Sequence, residues 1–322
     1  MTQTKGTLLG LAAIGLWSTA PSLIRLFSET AGAVAGAAMI YTLASVMLVA
    51  LRGWTPLRQY PRRYLLIGGA LFAGYEVALA LALGYAQDRT QAIEVGLLNY
   101  LWPCLTVALM VFSGRQRATV WLAPGLLLSL LGVAWILSGG EGLSPAHIVA
   151  NAARNPVSYG LAAGGAFLWA TYCCAAKPLS QGKDAIVPFF VLTSVVLWLK
   201  FALSGTALTA LSEAHAAAAA HAGILGGGAT SVLGSIGGLA SLWPAAVLLC
   251  AAAAVMALGY ASWNRALTHG NLALLAAVSY ATPVLSSAFS AAILRSALTA
   301  SFWQGAALVT AGSLCCWWAT RK

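Results

Sequence analysis

The sequence predicts an all-α integral membrane protein of ten transmembrane helices, arranged as two inverted five-helix repeats with both the N and C termini cytoplasmic. Three observations predict it: a composition that excludes a soluble fold, apolar stretches of membrane-spanning length, and an internal repeat. Of 322 residues, 60% are hydrophobic and 7% charged, with mean hydropathy +0.84, whereas a soluble domain carries about 25% charged residues.

The apolar stretches fall at 7–27, 33–52, 64–86, 91–113, 119–138, 157–178, 186–206, 243–266, 271–294 and 299–319. Each is close to the roughly 20 residues that cross a hydrocarbon core of about 30 Å. Only Met1 to Gly6 precede the first stretch, which exceeds a signal-peptide apolar region and ends without a small-residue cleavage site, so it is expected to remain. With the N terminus inside, Lys5, Arg52, Arg58, Arg62, Arg63, Arg115, Arg117, Lys177, Lys183, Arg265, Arg321 and Lys322 are cytoplasmic. Arg25, Arg89, Arg154, Lys200 and Arg295 lie on the other side, a split of 12 to 5 that sets the orientation. The net charge of +10 is thus a topology signal, and the basic residues form no run or stacking platform for nucleic acid. All 6 cysteines lie in predicted helices, without zinc spacing, so neither a metal nor a disulfide is expected.

The spans differ in what they carry. Helix one holds Trp17 and, four residues on, Pro21, which cannot donate to the Trp17 carbonyl. Helix three carries Tyr75 and Glu76. An isolated intramembrane carboxylate must be paired, protonated or hydrated, so Glu76 is the candidate for proton coupling, with a structural hydrogen bond to a neighbouring helix as the alternative. Asp88 and Arg89 in the next connection suit a cap or ion pair, and Glu94 stands near the start of helix four.

Helices four and five superpose on nine and ten at a constant offset of 180 residues. Asn99-Tyr100-Leu101-Trp102-Pro103 meets Ser279-Tyr280-Ala281-Thr282-Pro283, and Arg115, Thr119, Gly125 and Gly132 meet Arg295, Thr299, Gly305 and Gly312. Helix one matches helix six more weakly, Gly10 through Trp17 and Thr19 against Gly160 through Trp169 and Thr171, at offsets of 150 to 152. The first repeat occupies 1–142 and the second 156–322, with an extracytoplasmic insertion at about 205–242. That insertion is expected to be one Ala-rich surface helix, Ser212 to Ala222, followed by flexible Gly-rich chain. Five helices per repeat is an odd number, so the copies enter the membrane in opposite orientations. Inverted repeats support alternating access, and the expected class is a carrier for a small solute.

The polar positions of helices four and nine form stripes, Asn99, Trp102 and Thr106 against Ser279, Thr282 and Ser286, continued by Ser290. Such stripes face a shared cavity or pack helix against helix. Pro103 and Pro283 free the carbonyls of Asn99 and Ser279 for a bound ammonium or water, or merely kink their helices. Trp17 and Trp169 occupy matched positions, and Tyr75, Trp102, Tyr260 and Trp263 also lie deep in their spans, where they suit either core packing or a flat ligand. No HExxH, GxSxG or P-loop occurs and no histidine lies within a span, so no enzyme, catalytic residue or cofactor is expected.

The Trp17-Ser18-Thr19 segment, the two proline segments and the Gly-spaced closing helices resemble the drug/metabolite transporter superfamily, in its ten-helix group with two EamA-type repeats. The resemblance covers the chain outside 205–242, and Glu94 through Pro103 is most similar to the group's aromatic amino acid exporters. It implies export of aromatic, and other neutral, amino acids across the bacterial inner membrane. A broad drug or metabolite exporter and a non-transporting receptor or assembly protein are the alternatives. The expected substrate contacts are Trp17, Tyr75, Asn99, Trp102, Trp169, Tyr260, Trp263, Ser279 and Thr282, with Pro21, Pro103 and Pro283 as helix-breaking hinges. The expected partners are that small molecule and the lipid bilayer, with no nucleic acid; a monomer is compatible with all of this. The small multidrug relatives carry a glutamate in helix one, and none is present here.

Overall fold

The computed structural model describes residues 2–114, 117, 119–138, 143–205, 230–269, 275 and 278–319, the side chains of Lys177, Asn264 and residues 230–242 and 267–269 excepted. Every regular element among the described residues is helical. Helix α1 (Gln3–Ala31) starts where the Thr2 hydroxyl accepts the Lys5 amide at 3.4 Å, which satisfies one orphan donor of the first turn. Gly32, at φ 78°, is the single residue between α1 and α2 (Ala33–Arg52), a left-handed conformation that a side chain would strain. A π turn, Tyr64–Gly68, runs into α3 (Gly69–Gly84). Asp88 caps α4 (Arg89–Asn99) by accepting the Gln91 amide at 2.7 Å. There follow α5 (Trp102–Phe112), α6 (Leu122–Leu137), α7 (Pro145–Arg154), α8 (Pro156–Ser180) and α9 (Ile186–Leu203), then α10 (Thr230–His269), α11 (Thr282–Leu294) and α12 (Ala300–Trp318).

Six of the described helical segments are long and apolar enough to cross a membrane: Gln3–Ala31, Ala33–Arg52, Tyr64–Gly84, Arg89–Phe112, Ile186–Leu203 and Trp243–Trp263. Helices α6 and α11 are apolar but shorter. Leu66, Phe112, Leu203 and Trp318 are among the large apolar side chains left exposed, the outer surface expected of a protein solvated by lipid.

Three features depart from the sequence expectation. The stretch 91–113 is two helices, broken at Tyr100 and Leu101. The connection after α6 contains α7, whose Pro145 stands in the first turn, where its missing N–H costs nothing. Residues 230–242, expected to be flexible, have helical backbone as the start of the 40-residue α10, because each residue added to an existing helix gains a backbone hydrogen bond without a new nucleus. The Ser212 to Ala222 segment lies outside the described residues.

Helix α1 packs on α10 and α11, α2 on α9, α3 on α8, and α6 on α12. Tyr41, Phe72, Phe189 and Phe190 are the largest buried rings of the core. The α6–α12 contact is close because glycine faces glycine: a Cβ at Gly132 would stand 2.7 Å from the Gly305 oxygen, and one at Gly125 would stand 2.9 Å from the Gly312 oxygen. Backbone has no rotamer with which to give way. Gly132→Val is therefore expected to destabilise the protein by about 3 kcal/mol, at the upper end of overpacking penalties. Thermal unfolding in detergent checks this, and an unchanged midpoint would refute the close contact.

Candidate functional site: an aromatic cavity between two broken helices

The site begins with two prolines. Pro103 and Pro283 cannot donate to the carbonyls of Asn99 and Ser279, and in each case the helix gives way just before the proline. The Leu101 amide turns back to the Leu98 carbonyl at 3.2 Å, and the Ala281 amide to Val278 at 2.9 Å. Regular bonding resumes at Leu105 to Leu101 (3.1 Å) and Leu285 to Ala281 (3.0 Å). These four bonds match pairwise at the 180-residue offset of the sequence repeat. The freed Ser279 carbonyl accepts a hydrogen bond from the Thr282 hydroxyl at 2.6 Å, a local partner supplied by the side chain three residues on.

Both breaks open onto a cavity of about 230 Å³. The first contributes Asn99, Tyr100, Trp102 and Pro103, and the second Ser279, Tyr280, Thr282 and Pro283. Helix α1 adds Trp17 and Pro21, α3 adds Tyr75 and Glu76, α8 adds Trp169, and α10 adds Tyr260 and Trp263. Every residue expected at the site from the sequence thus lines one cavity. The stripe positions farther from the prolines do not: Thr106 bonds back to the Trp102 carbonyl at 2.7 Å, and Ser286 and Ser290 are buried outside the lining.

The walls are aromatic. Trp17 meets Tyr260 edge-on at 5.0 Å and Trp263 at 5.4 Å between ring centroids. Opposite, Tyr75 lies 4.6 Å from Trp169, which also meets Trp102 nearly at right angles at 6.3 Å. Trp169 and Tyr260, 6.4 Å apart, join the two walls. Offset and edge-on arrangements leave faces and edges available to a further ring. Trp17 reaches its position because α10 has no side chain at Gly259, where a Cβ would fall 2.6 Å from Trp17 Nε1.

Polar groups in this lining are few, and three of them lack partners. Trp17 Nε1, Asn99 Oδ1 and Ser313 Oγ are buried without a hydrogen bond. Asn99 is held by its other end, Nδ2 donating to the Tyr75 hydroxyl at 3.4 Å, which leaves the carbonyl oxygen free. Buried unpaired groups of this kind cost about 1–3 kcal/mol each, so a donor and an acceptor left open in one cavity are groups a ligand would satisfy. Glu76 is the opposite case. It is 1% exposed, and both of its oxygens are taken: the Tyr41 hydroxyl donates to Oε2 at 2.5 Å and the Tyr260 hydroxyl to Oε1. The structural hydrogen bond weighed for this residue is present, and it joins α2, α3 and α10.

Sequence reasoning missed Cys173, Met256 and Ser313 in the lining. Tyr100 and Tyr280 were detectable, since each sits three residues before its proline in the repeat. Ser313, next to the repeated Gly312, carries no such signal.

Residues 4–138 match the EamA-like transporter family. Over 322 residues, all of both chains, the protein is 44% identical to the aromatic amino acid exporter YddG of Salmonella typhimurium (strain 14028s / SGSC 2262). It is 42% identical, again over the whole of both chains, to the aromatic amino acid exporter YddG of Escherichia coli (strain K12). A solved crystal structure shares the fold with a TM-score of 0.60 at 23% identity, covering 99% of each chain. Together with the cavity between matched broken helices, these likenesses assign the chain: it belongs to the EamA-like transporter family.

Proposed function

We propose that this protein exports aromatic, and other neutral, amino acids from the bacterial cytoplasm across the inner membrane by alternating access. The observation that carries the reading is that, of the three open polar atoms in the aromatic cavity, Trp17 Nε1 is a donor and Asn99 Oδ1 an acceptor, Ser313 Oγ being able to act as either. An amino acid zwitterion presents a carboxylate that accepts and an ammonium that donates, and it needs one partner of each kind. A flat side chain would then lie between the Trp17–Tyr260 and Tyr75–Trp169 walls. The curated relatives named above are exporters of this substrate class. Glu76 argues against the broad drug exporter, because a carboxylate already held by two tyrosine hydroxyls is a poor fixed anion for lipophilic cations.

Ten spans in two inverted repeats, with cytoplasmic termini, are part of the proposal. Ten alternating crossings require the connections to segregate into two groups, and the contacts support that. On one side Arg52 pairs with Asp184 at 2.8 Å, joining the connection after α2 to the one after α8, and the Thr119 amide bonds Ala319 at 2.9 Å near the C terminus. On the other, Gln87 Nε2 donates to the Arg154 carbonyl at 2.7 Å and Arg89 to Leu294 at 3.1 Å. The first group carries the cytoplasmic excess of Lys and Arg.

Liposomes containing the purified protein and loaded with labelled phenylalanine or tryptophan are expected to release it faster than protein-free liposomes loaded in the same way. Absence of flux with every amino acid tried would refute the function. Imposing a pH gradient in the same vesicles separates facilitated from proton-driven export. We expect no effect, since both Glu76 oxygens are engaged with fixed donors.

A further inference from the structure

Above the cavity, α1, α3, α4 and α11 are tied together at one end by a network centred on Glu29. Arg89 grips this carboxylate with two nitrogens, Nη2 to Oε2 at 2.8 Å and Nε to Oε1 at 3.1 Å. Arg25 Nε reaches Oε1 at 3.1 Å, while its Nη1 binds the carbonyls of Leu83 at 3.2 Å and Ala86 at 2.5 Å at the end of α3. Arg89 Nη1 then crosses to the Leu294 carbonyl at 3.1 Å, at the end of α11, and beside it Thr90 and Ser296 share a hydroxyl hydrogen bond of 2.6 Å. A single exposed ion pair would contribute little. This is a bidentate contact within a network, and Arg25 is 8% exposed with its Nη1 held by backbone carbonyls at the end of α3.

The position of the network is informative. Helices α4 and α11 are the halves of the two broken helices that lead away from the cavity on this face. Ile24, which lines the cavity, precedes Arg25, and Gly96, also in the lining, lies about two helical turns from Arg89. A solute leaving between α4 and α11 has to pass the bonds that join their ends. In the sequence the repeat offsets pair Gln181 with Glu29, His269 with Arg89, Gly270 with Thr90 and Gln116 with Ser296. Neither the carboxylate nor the hydroxyl pair recurs at these positions, and the ion pair described on the opposite face, Arg52 with Asp184, joins the connections after α2 and α8 instead of the ends of the two broken helices.

We infer that the Glu29–Arg25–Arg89 network, with Thr90 and Ser296, is the extracytoplasmic gate, and that it biases the unloaded carrier towards the form closed on that face. The inference rests on the alternating-access reading and adds to it a resting direction suited to loading from the cytoplasm. With the 6 native cysteines replaced by alanine, Leu79→Cys, in the cavity lining about one turn from the end of α3, reports access from outside to a membrane-impermeant maleimide in spheroplasts. In that background Glu29→Gln is expected to raise labelling about fivefold, the shift produced by losing ~1 kcal/mol from the closed form. The same substitution should lower labelling of the Leu79→Cys reporter from the cytoplasmic face in inside-out vesicles. Glu29→Asp should restore part of the closure, and Thr90→Val combined with Ser296→Ala should open the face in the same direction. A misfolded protein would label more from both faces, so reciprocal change identifies the gate. Unchanged labelling from both faces, or an increase on both, would overturn it. If labelling is reciprocal yet no amino acid is transported in liposomes, the export reading fails and the gate stands.

Discussion

Replacing Trp17 with phenylalanine is expected to weaken binding of an aromatic amino acid about tenfold to a hundredfold while leaving the thermal midpoint of the empty protein unchanged or higher. Hydrogen bonds to charged groups contribute about 1.5–3 kcal/mol, and the indole N–H is an open donor in the cavity wall. Phenylalanine keeps a ring against Tyr260 and Trp263 and removes a buried donor that has no partner in the empty protein. Loss of affinity without loss of stability therefore marks a ligand contact and separates it from a packing role. Asn99→Ala tests the other end of the substrate. Phenylpropionate, which lacks the ammonium, should be insensitive to it, and phenethylamine, which lacks the carboxylate, should be insensitive to Trp17→Phe. Isothermal titration with the three ligands checks the assignment. Equal affinity of wild type and Trp17→Phe for phenylalanine would remove the indole from the site, and the reverse sensitivity of the two analogues would invert the substrate.

Why this site was legible in the sequence follows from the repeat. Tyr100-Leu101-Trp102-Pro103 and Tyr280-Ala281-Thr282-Pro283 match at one offset, and a proline at matched depth breaks the helix in both places by the same lost hydrogen bond. Deep aromatics could be assembled because lipid offers no reason to place Trp17 or Trp169 away from the interface. What the sequence left hidden depends on distances between helices. The polar stripes continue to Thr106 and Ser290, and periodicity does not reveal that the cavity ends before it reaches them. Nor does the sequence show the rotamer that folds the Thr282 hydroxyl back on the Ser279 carbonyl. Glu29 and Arg89, 60 residues apart, show no pattern in sequence that joins them; only folding brings the start of α4 beside the end of α1.

For Glu76 the expected result depends on the shape of the replacement more than on its charge. Glu76→Leu should destabilise the protein by about 2–6 kcal/mol, because two buried phenols, Tyr41 and Tyr260, each lose an acceptor and an unpaired buried group costs about 1–3 kcal/mol. It should also lower substrate affinity, since Tyr260 would no longer be fixed against Trp17. Glu76→Gln keeps both contacts: the amide oxygen accepts from one tyrosine and the amide nitrogen donates to the other, whose hydroxyl turns to accept. Transport and stability are then expected to stay near wild type, and the pH profile of efflux should be the same for both proteins. A carboxyl that ferries a proton gives the opposite pattern, in which Gln, unable to titrate, loses pH-gradient-driven flux while remaining folded. Efflux rate against pH, measured beside the unfolding midpoint for wild type, Gln and Leu, distinguishes the two. Loss of gradient-driven flux in Glu76→Gln with an unaltered midpoint would make this residue the coupling site, and the tie between α2, α3 and α10 would then be the element that a proton releases.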